Sequence, residues 1–191
     1  MAFVKTTIDK ADLSSDHLFS DDSTIDFVIC KSPEKLNSLL KAIKPGSNVF
    51  YVCNGDWSAH DLVMQLVKQY QPVELFMTSY AIREYAIRLF IGGIDNGSIK
   101  QINMLLDHRA TVRTPEVYQL AKANFTKIYL SAVHAKVCII RHSQGCISIV
   151  GSANFTKNPK IESGVVSTNT ALGEWYIDHL KKLMDGADIF G

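Results

Sequence analysis

Long hydrophobic runs are missing from this 191-residue sequence: no uninterrupted apolar stretch exceeds about half a dozen residues, against the roughly 20 that cross a bilayer as a helix. Its start, MAFVKTTIDKAD, has no apolar h-region, so a soluble, cytoplasmic protein is expected. Cysteine is scarce. Cys30, Cys53, Cys138 and Cys146 are scattered, with no CxxC and no Cys/His cluster, which argues against a disulfide framework and against a zinc site. Cys30, Cys53 and Cys138 end or interrupt apolar runs and read as small buried hydrophobes. A dominant charge is also absent: 20 basic side chains face 19 acidic ones and 47% of residues are hydrophobic, which excludes a disordered chain or a highly charged tail. This length can bury a sizeable core, and one domain over residues 23–191 is expected behind an acidic, serine-rich, loosely ordered segment, 1–22.

The balanced total hides a local excess. Residues 109–160 carry eight basic side chains (Arg109, Arg113, Lys122, Lys127, Lys136, Arg141, Lys157, Lys160) against one acidic, Glu116. For any single lysine a solvated face is explanation enough. The block as a whole points to a polyanionic ligand, because binding follows the local field and not the net charge.

Hydrophobic periodicity alternates along the chain. Ser23 to Cys30 reads as a strand, Ser32-Pro33 opens a helix with Leu36, Leu39, Leu40 and Ile43 on one face, and Lys44-Pro45-Gly46 ends it. Asn48 to Cys53 is a strand, and Ser58 with Asp61 forms a capping-box pattern ahead of a helix ending near residue 70. Strands follow at 73–78, 99–106 and 127–133, separated by helices at 81–91 and 115–124. These alternations predict an α/β fold with a mixed, largely parallel sheet flanked by helices on both faces. After residue 126 the pattern changes: β runs at Lys127 to Arg141 and Cys146 to Val150 flank His142-Ser143-Gln144-Gly145 as an antiparallel hairpin. A strand at 161–168 and an amphipathic helix at 171–184 close the chain.

The hairpin holds the chemistry. In Val133-His134-Ala135-Lys136, strand alternation sends His134 and Lys136 to the same face, placing a nucleophile or base beside a fixed positive charge. The partner run ends in Gly151-Ser152-Ala153-Asn154-Phe155-Thr156, where Gly151 permits a sharp turn and Ser152 and Asn154 can donate to an anion. Histidine can bond covalently to phosphorus while lysine and neutral donors stabilise the equatorial oxygens.

HxK, an apolar hairpin, GSANFT and then Glu162 opening an apolar strand resembles the signature of the phospholipase D superfamily, whose motif is HxK followed by aspartate and then GSxN. The resemblance is specific over His134 to Val166 and architectural elsewhere. It implies a phospholipase D-like fold with His134 as nucleophile, Lys136 and Asn154 on the non-bridging oxygens, Ser152 assisting, and Glu162 fixing the His134 tautomer. It also implies that no metal or other cofactor is required. This sequence departs from the pattern at Arg141, which stands where the motif has aspartate, in a longer hairpin turn and in a shorter loop before Glu162. Lys157, Lys160 and Arg141 are the substrate-binding candidates.

The chain holds one HxK…GSxN set, whereas the family mechanism needs two histidines at one phosphate, so a two-fold homodimer is expected to complete the site. Short single-motif relatives in this family are mostly nucleases, which favours DNA or RNA as substrate. Two alternatives stay open: a phospholipid-acting enzyme, and a degenerate member that binds nucleic acid or protein without cleaving. Asp56, Trp57, Ser79 and Tyr80, at strand ends, are further candidates for shaping the pocket. Each also has a structural explanation. His17, His60, His108 and His179 are given no role.

Overall fold

In the computed structural model, residues 24–30, 33–55, 57–157 and 159–186 are described. The expected N-terminal segment 1–22 and Asp56 lie outside them. The elements run β1 (Thr24–Cys30), α1 (Pro33–Ala42), β2 (Ser47–Cys53), α2 (Ala59–Tyr70), β3 (Val73–Ser79), α3 (Glu84–Asp95), β4 (Ile99–Asp107), α4 (Ala110–Arg113) and α5 (Pro115–Asn124). They continue with β5 (Lys127–Ser131), β6 (Val137–His142), β7 (Gly145–Gly151), β8 (Glu162–Ser167) and α6 (Thr170–Asp185). Local signals account for the helix starts. The Ser58 backbone N–H donates to the Asp61 carboxylate at 2.8 Å, one half of the expected capping box. Pro115 opens α5, and Asn169 caps α6 by accepting from the Leu172 N–H at 3.0 Å.

All eight strands form one sheet in the order β1-β2-β8-β7-β6-β3-β4-β5. Parallel pairing is confined to its two flanks, β1 with β2 on one and β3 with β4 and β4 with β5 on the other. The four central pairings are antiparallel, because β6, β7 and β8 follow one another without a crossover helix and insert as a meander between the two flanks. The sheet is therefore mixed, with its parallel part displaced to the edges. One expected run is broken in two. Lys127 to Arg141 forms β5, at the edge beside β4, and then β6, in the centre between β3 and β7. Residues 132–136 must therefore travel across the ends of β4 and β3.

Helices cover both faces. Side chains of α1, α2, α3 and α5 pack on one face around Leu39, Leu62, Leu66, Phe90, Ile102 and Met104. The opposite face is covered by α6, whose Ile177, Leu180 and Met184 bury against Phe76, Ile139 and Cys146. Each such apolar side chain contributes about 1.5–3 kcal/mol. Gly173 allows this contact, since a Cβ there would lie 2.2 Å from the Cβ of Cys146. Cys53, Cys138 and Cys146 are buried free thiols, with Cys138 pushed well up by desolvation and Cys146 pushed up to about 12, so they pack as the sequence suggests for Cys53 and Cys138.

Because β6 and β8 run opposite to their neighbours, their N-terminal ends share one rim with the C-terminal ends of β2, β3, β4 and β7. That rim gathers the loops that carry the candidate chemistry.

Candidate active site

His134 and Lys136 sit on the crossover segment and not on a strand. Two anchors hold the segment to the rim. The Thr78 hydroxyl, at the end of β3, donates to the Ala135 carbonyl at 3.0 Å and accepts from the Val137 N–H at 3.1 Å. The Gly151 N–H donates to the Lys136 carbonyl at 3.1 Å. Gly151 serves a close approach and not a sharp turn: a Cβ there would lie 2.8 Å from the Ser163 carbonyl oxygen.

The two motif side chains meet, though not through strand alternation. Lys136 Nζ lies 3.1 Å from His134 Nδ1 and 3.2 Å from Nε2, and it donates to the His134 carbonyl at 2.7 Å. A point nearly equidistant from both ring nitrogens lies over the ring face, away from either lone pair. His134 is solvent-exposed and Lys136 partly buried. Burial holds the Lys136 ammonium below the usual lysine range, while Glu162 and Tyr80 pull it the other way.

The GSxN segment approaches from β7. Ser152 donates from Oγ to a Glu162 carboxylate oxygen and accepts from the Ser163 N–H at 3.1 Å, so the two ends of the β7–β8 loop are pinned together. The Asn154 amide is tied to β3 through Ser79, whose hydroxyl lies 3.2 Å from Asn154 Oδ1 and 2.7 Å from the Ala81 carbonyl. Further along, the Arg83 N–H donates to the Phe155 carbonyl at 3.0 Å, and the Phe155 ring is buried edge-on against Phe90. Ser79 is thus a positioning residue for Asn154. Its place at a strand end marks it as a pocket candidate, but nothing in the local sequence pairs it with Asn154, 75 positions away.

His134, Lys136, Ser152, Asn154 and Glu162 therefore share one rim, but two expectations need correcting. Glu162 is engaged by Ser152 and interacts with Lys136 electrostatically; the His134 ring is met by Lys136 and Tyr80 instead. In the β7–β8 register Ser163 stands across from Ser152, and Glu162 beside it takes the Ser152 hydroxyl. Arg141 lies at the far end of β6, where it pairs with Glu174 of α6 at 2.7 Å and Glu74 of β3 at 3.5 Å. Although burial opposes its charge, the bond to Glu174 leaves the Arg141 guanidinium raised and the Glu174 carboxyl lowered. This side chain ties α6 to the sheet, at the opposite end of β6 from His134. Lys157 and Lys160 are exposed on the β7–β8 loop. Trp57 turns inward and packs on Tyr51, with ring centroids 5.2 Å apart.

Beyond the motif, Tyr80 is a meeting point for positive charge. Its ring stands edge-on to His134 at 5.2 Å, with Arg109 at 4.7 Å, Arg113 at 5.4 Å and Lys136 at 6.0 Å from its centroid. The Arg113 Nη1 donates to the Tyr80 hydroxyl. Arg109 is held by Asp107 through a fork, Nε to Oδ1 at 2.6 Å and Nη2 to Oδ2 at 3.0 Å. These hydrogen bonds hold the fully buried Asp107 carboxyl below the usual carboxylate range against the opposing effect of burial. Sequence reading counts both arginines only as part of the basic block. Their spacing of four, on one face of a helical turn, is the signal that could have singled them out.

Among the described residues no three His, Cys, Asp or Glu side chains converge as metal ligands, and no helix is long and apolar enough to cross a membrane.

No family model matches the chain, and no curated protein matches it by sequence. Solved structures do match. NucT from Helicobacter pylori superposes with a TM-score of 0.56 at 17% identity, over 74% of this chain and 96% of that one. A polyphosphate kinase from Porphyromonas gingivalis superposes with a TM-score of 0.57 at 16% identity, over 81% of this chain but 28% of the kinase. TrmBL2, described as an archaeal chromatin protein with a novel mode of DNA binding, matches with a TM-score of 0.50 at 10% identity, over 72% of this chain and 52% of that one. At these identities the likeness establishes architecture, and the architecture is the phospholipase D-like α/β fold.

Proposed function

We propose that this chain is a metal-independent phosphodiesterase of phospholipase D type, a cytoplasmic nuclease that cleaves DNA or RNA through a phosphohistidine at a site shared by two copies. The observation that carries this reading is the convergence of His134, Lys136, Ser152, Asn154 and Glu162 on one rim of that fold.

In the first step a ring nitrogen of His134 attacks phosphorus, an N–P bond forms, and the P–O bond to the leaving nucleoside breaks. The departing oxygen takes its proton from the same histidine of a second copy. Lys136 and Asn154 hold the non-bridging oxygens, where negative charge grows in the transition state. Substrate lifts the Lys136 ammonium from the face of His134 onto an anionic oxygen, which frees the ring to attack. Water, deprotonated by the second histidine, then attacks phosphorus and releases His134. Lys157 and Lys160 neutralise neighbouring backbone phosphates without reading bases.

The test is cleavage of single- and double-stranded DNA, RNA and a chromogenic phosphodiester in excess EDTA. Activity persists with chelator and is abolished by His134→Ala in a folded protein; loss of activity on chelation sinks the mechanism. Mixing wild-type chains with an excess of inactive His134→Ala chains probes the shared site. Activity is expected to fall as mixed dimers form, and activity that stays proportional to the wild-type chains present indicates an independent site in each chain.

A second reading, a member that binds nucleic acid without cutting it, draws support from Glu162, which engages Ser152 where the family resemblance implies His134. TrmBL2's described DNA binding is consistent with it. Retained binding with no cleavage of any substrate selects this reading.

A further inference from the structure

We infer that Tyr80, Arg109 and Arg113 form a binding subsite for the backbone phosphate next to the scissile one, which makes an oligonucleotide a better substrate than an isolated phosphodiester. The inference rests on the nuclease reading and extends it from the reacting phosphate to its neighbour.

Three like charges, Arg109, Arg113 and Lys136, gather around one tyrosine ring. Mutual repulsion opposes this arrangement, and among the described residues Asp107 is the one carboxylate that hydrogen-bonds either arginine. Arg113 is exposed, and its hydrogen bond goes to a neutral hydroxyl. The cluster is left with an excess positive charge that an anion would satisfy. Its position gives that anion an identity. The His134 ring centroid lies 5.2 Å from that of Tyr80 and the two guanidinium carbons lie 4.7 and 5.4 Å from it, so nucleophile and arginines gather around one ring. A phosphate on His134 has its chain neighbour at that range.

The chemistry of the donors agrees. Asp107 occupies Nε and one proton of Nη2 on Arg109, leaving Nη1 and the outer Nη2 proton to point away from the buried carboxylate. Arg113 keeps Nε and Nη2 after its bond from Nη1 to Tyr80. Planar forks of this kind suit two oxygens of one phosphate. Arg109 is fixed in advance by a buried partner, so little side-chain freedom is lost on binding. Arg109 carries that structural duty as well, because its removal strands a buried carboxylate and endangers folding. The test therefore uses Arg113 and Tyr80.

Arg113→Ala and Tyr80→Phe are compared with wild type on a short single-stranded oligonucleotide and on bis(p-nitrophenyl) phosphate. Arg113→Ala is expected to lower kcat/KM for the oligonucleotide roughly tenfold more than for the small diester, with the loss in KM. Tyr80→Phe, which keeps the ring but removes Arg113's acceptor, gives a smaller loss of the same kind. On a His134→Ala background, Arg113→Ala flattens the dependence of log affinity on log salt by about 0.7 for a single strand. Arg113→Lys restores the slope without restoring full affinity. Equal losses on both substrates overturn the subsite, since they mean that Tyr80 and Arg113 act through His134. An unchanged salt slope overturns it as well. If wild type cleaves neither substrate, the nuclease reading fails separately, and the salt slope of oligonucleotide binding still decides the subsite; absence of binding rejects both.

Discussion

Replacing Thr78 with valine removes the hydroxyl that holds the HxK segment while preserving the shape and β-branching of the side chain. That hydroxyl serves two backbone groups of different exposure. Ala135 is exposed, so its carbonyl can turn to water at little cost. Val137 is buried, and its N–H loses its 3.1 Å acceptor with no solvent to replace it. A buried, unsatisfied N–H costs about 1–3 kcal/mol, so a loss of about 2 kcal/mol is expected. With a urea slope of about 2 kcal/mol per molar, that moves the unfolding midpoint down by about 1 M. The activity effect should exceed the stability effect in kind. His134 and Lys136 flank the released residue, and small misplacements of reacting groups cost as much as about 100-fold in rate. The variant should therefore lose kcat on the chromogenic diester at temperatures where it is fully folded, with KM less affected. Thr78→Ser, which keeps the hydroxyl, should retain most of the rate. A Thr78→Val protein with an unchanged midpoint and an unchanged kcat would refute the anchoring role.

Arg141→Met should reduce stability by about 1 kcal/mol, the scale of half-exposed ion pairs, as read by urea unfolding. It should leave kcat and KM close to wild type; a selective rise in KM for nucleic acid would restore Arg141 as a substrate contact. The Asp107 carboxyl is held below its ordinary range by Arg109, so its contribution is fully present above the usual aspartate pKa and is lost as pH falls through the lower, folded value. Asp107→Asn should accordingly flatten the acid limb of a stability-versus-pH curve, and an identical limb would count against the pairing. Replacing Lys157 and Lys160 together with alanine should flatten the salt dependence of nucleic-acid binding by roughly one to two units on a His134→Ala background. An unchanged slope would reject backbone tracking by that loop.

The alternation of β and α segments, the 142–145 hairpin and the helix starts were legible because they depend on residues within one turn or one strand of each other. Pro33, Pro115, Ser58 with Asp61, and the apolar spacing of α2 and α6 each specify structure locally. The HxK and GSxN segments were legible for a related reason: β6 and β7 are joined by a short turn, so sequence proximity brings His134 and Asn154 to the same end of the sheet. Pairings between distant segments were not. Whether residues 127–141 form one strand or two depends on β3 and β4 occupying the space between them, and an apolar run alone carries no record of its neighbours. The same holds for individual side chains. Arg141 faces α6 because a helix 33 residues later packs over β6 and β7, Ser79 reaches Asn154 across 75 residues, and Tyr80 meets Arg113 across 33. Sequence by itself determined the elements and the chemistry that two short motifs could perform. The sheet order decided which charges stand beside His134 and which are held at the other end of the strands, because that order arises from burial and backbone pairing among segments far apart in the chain.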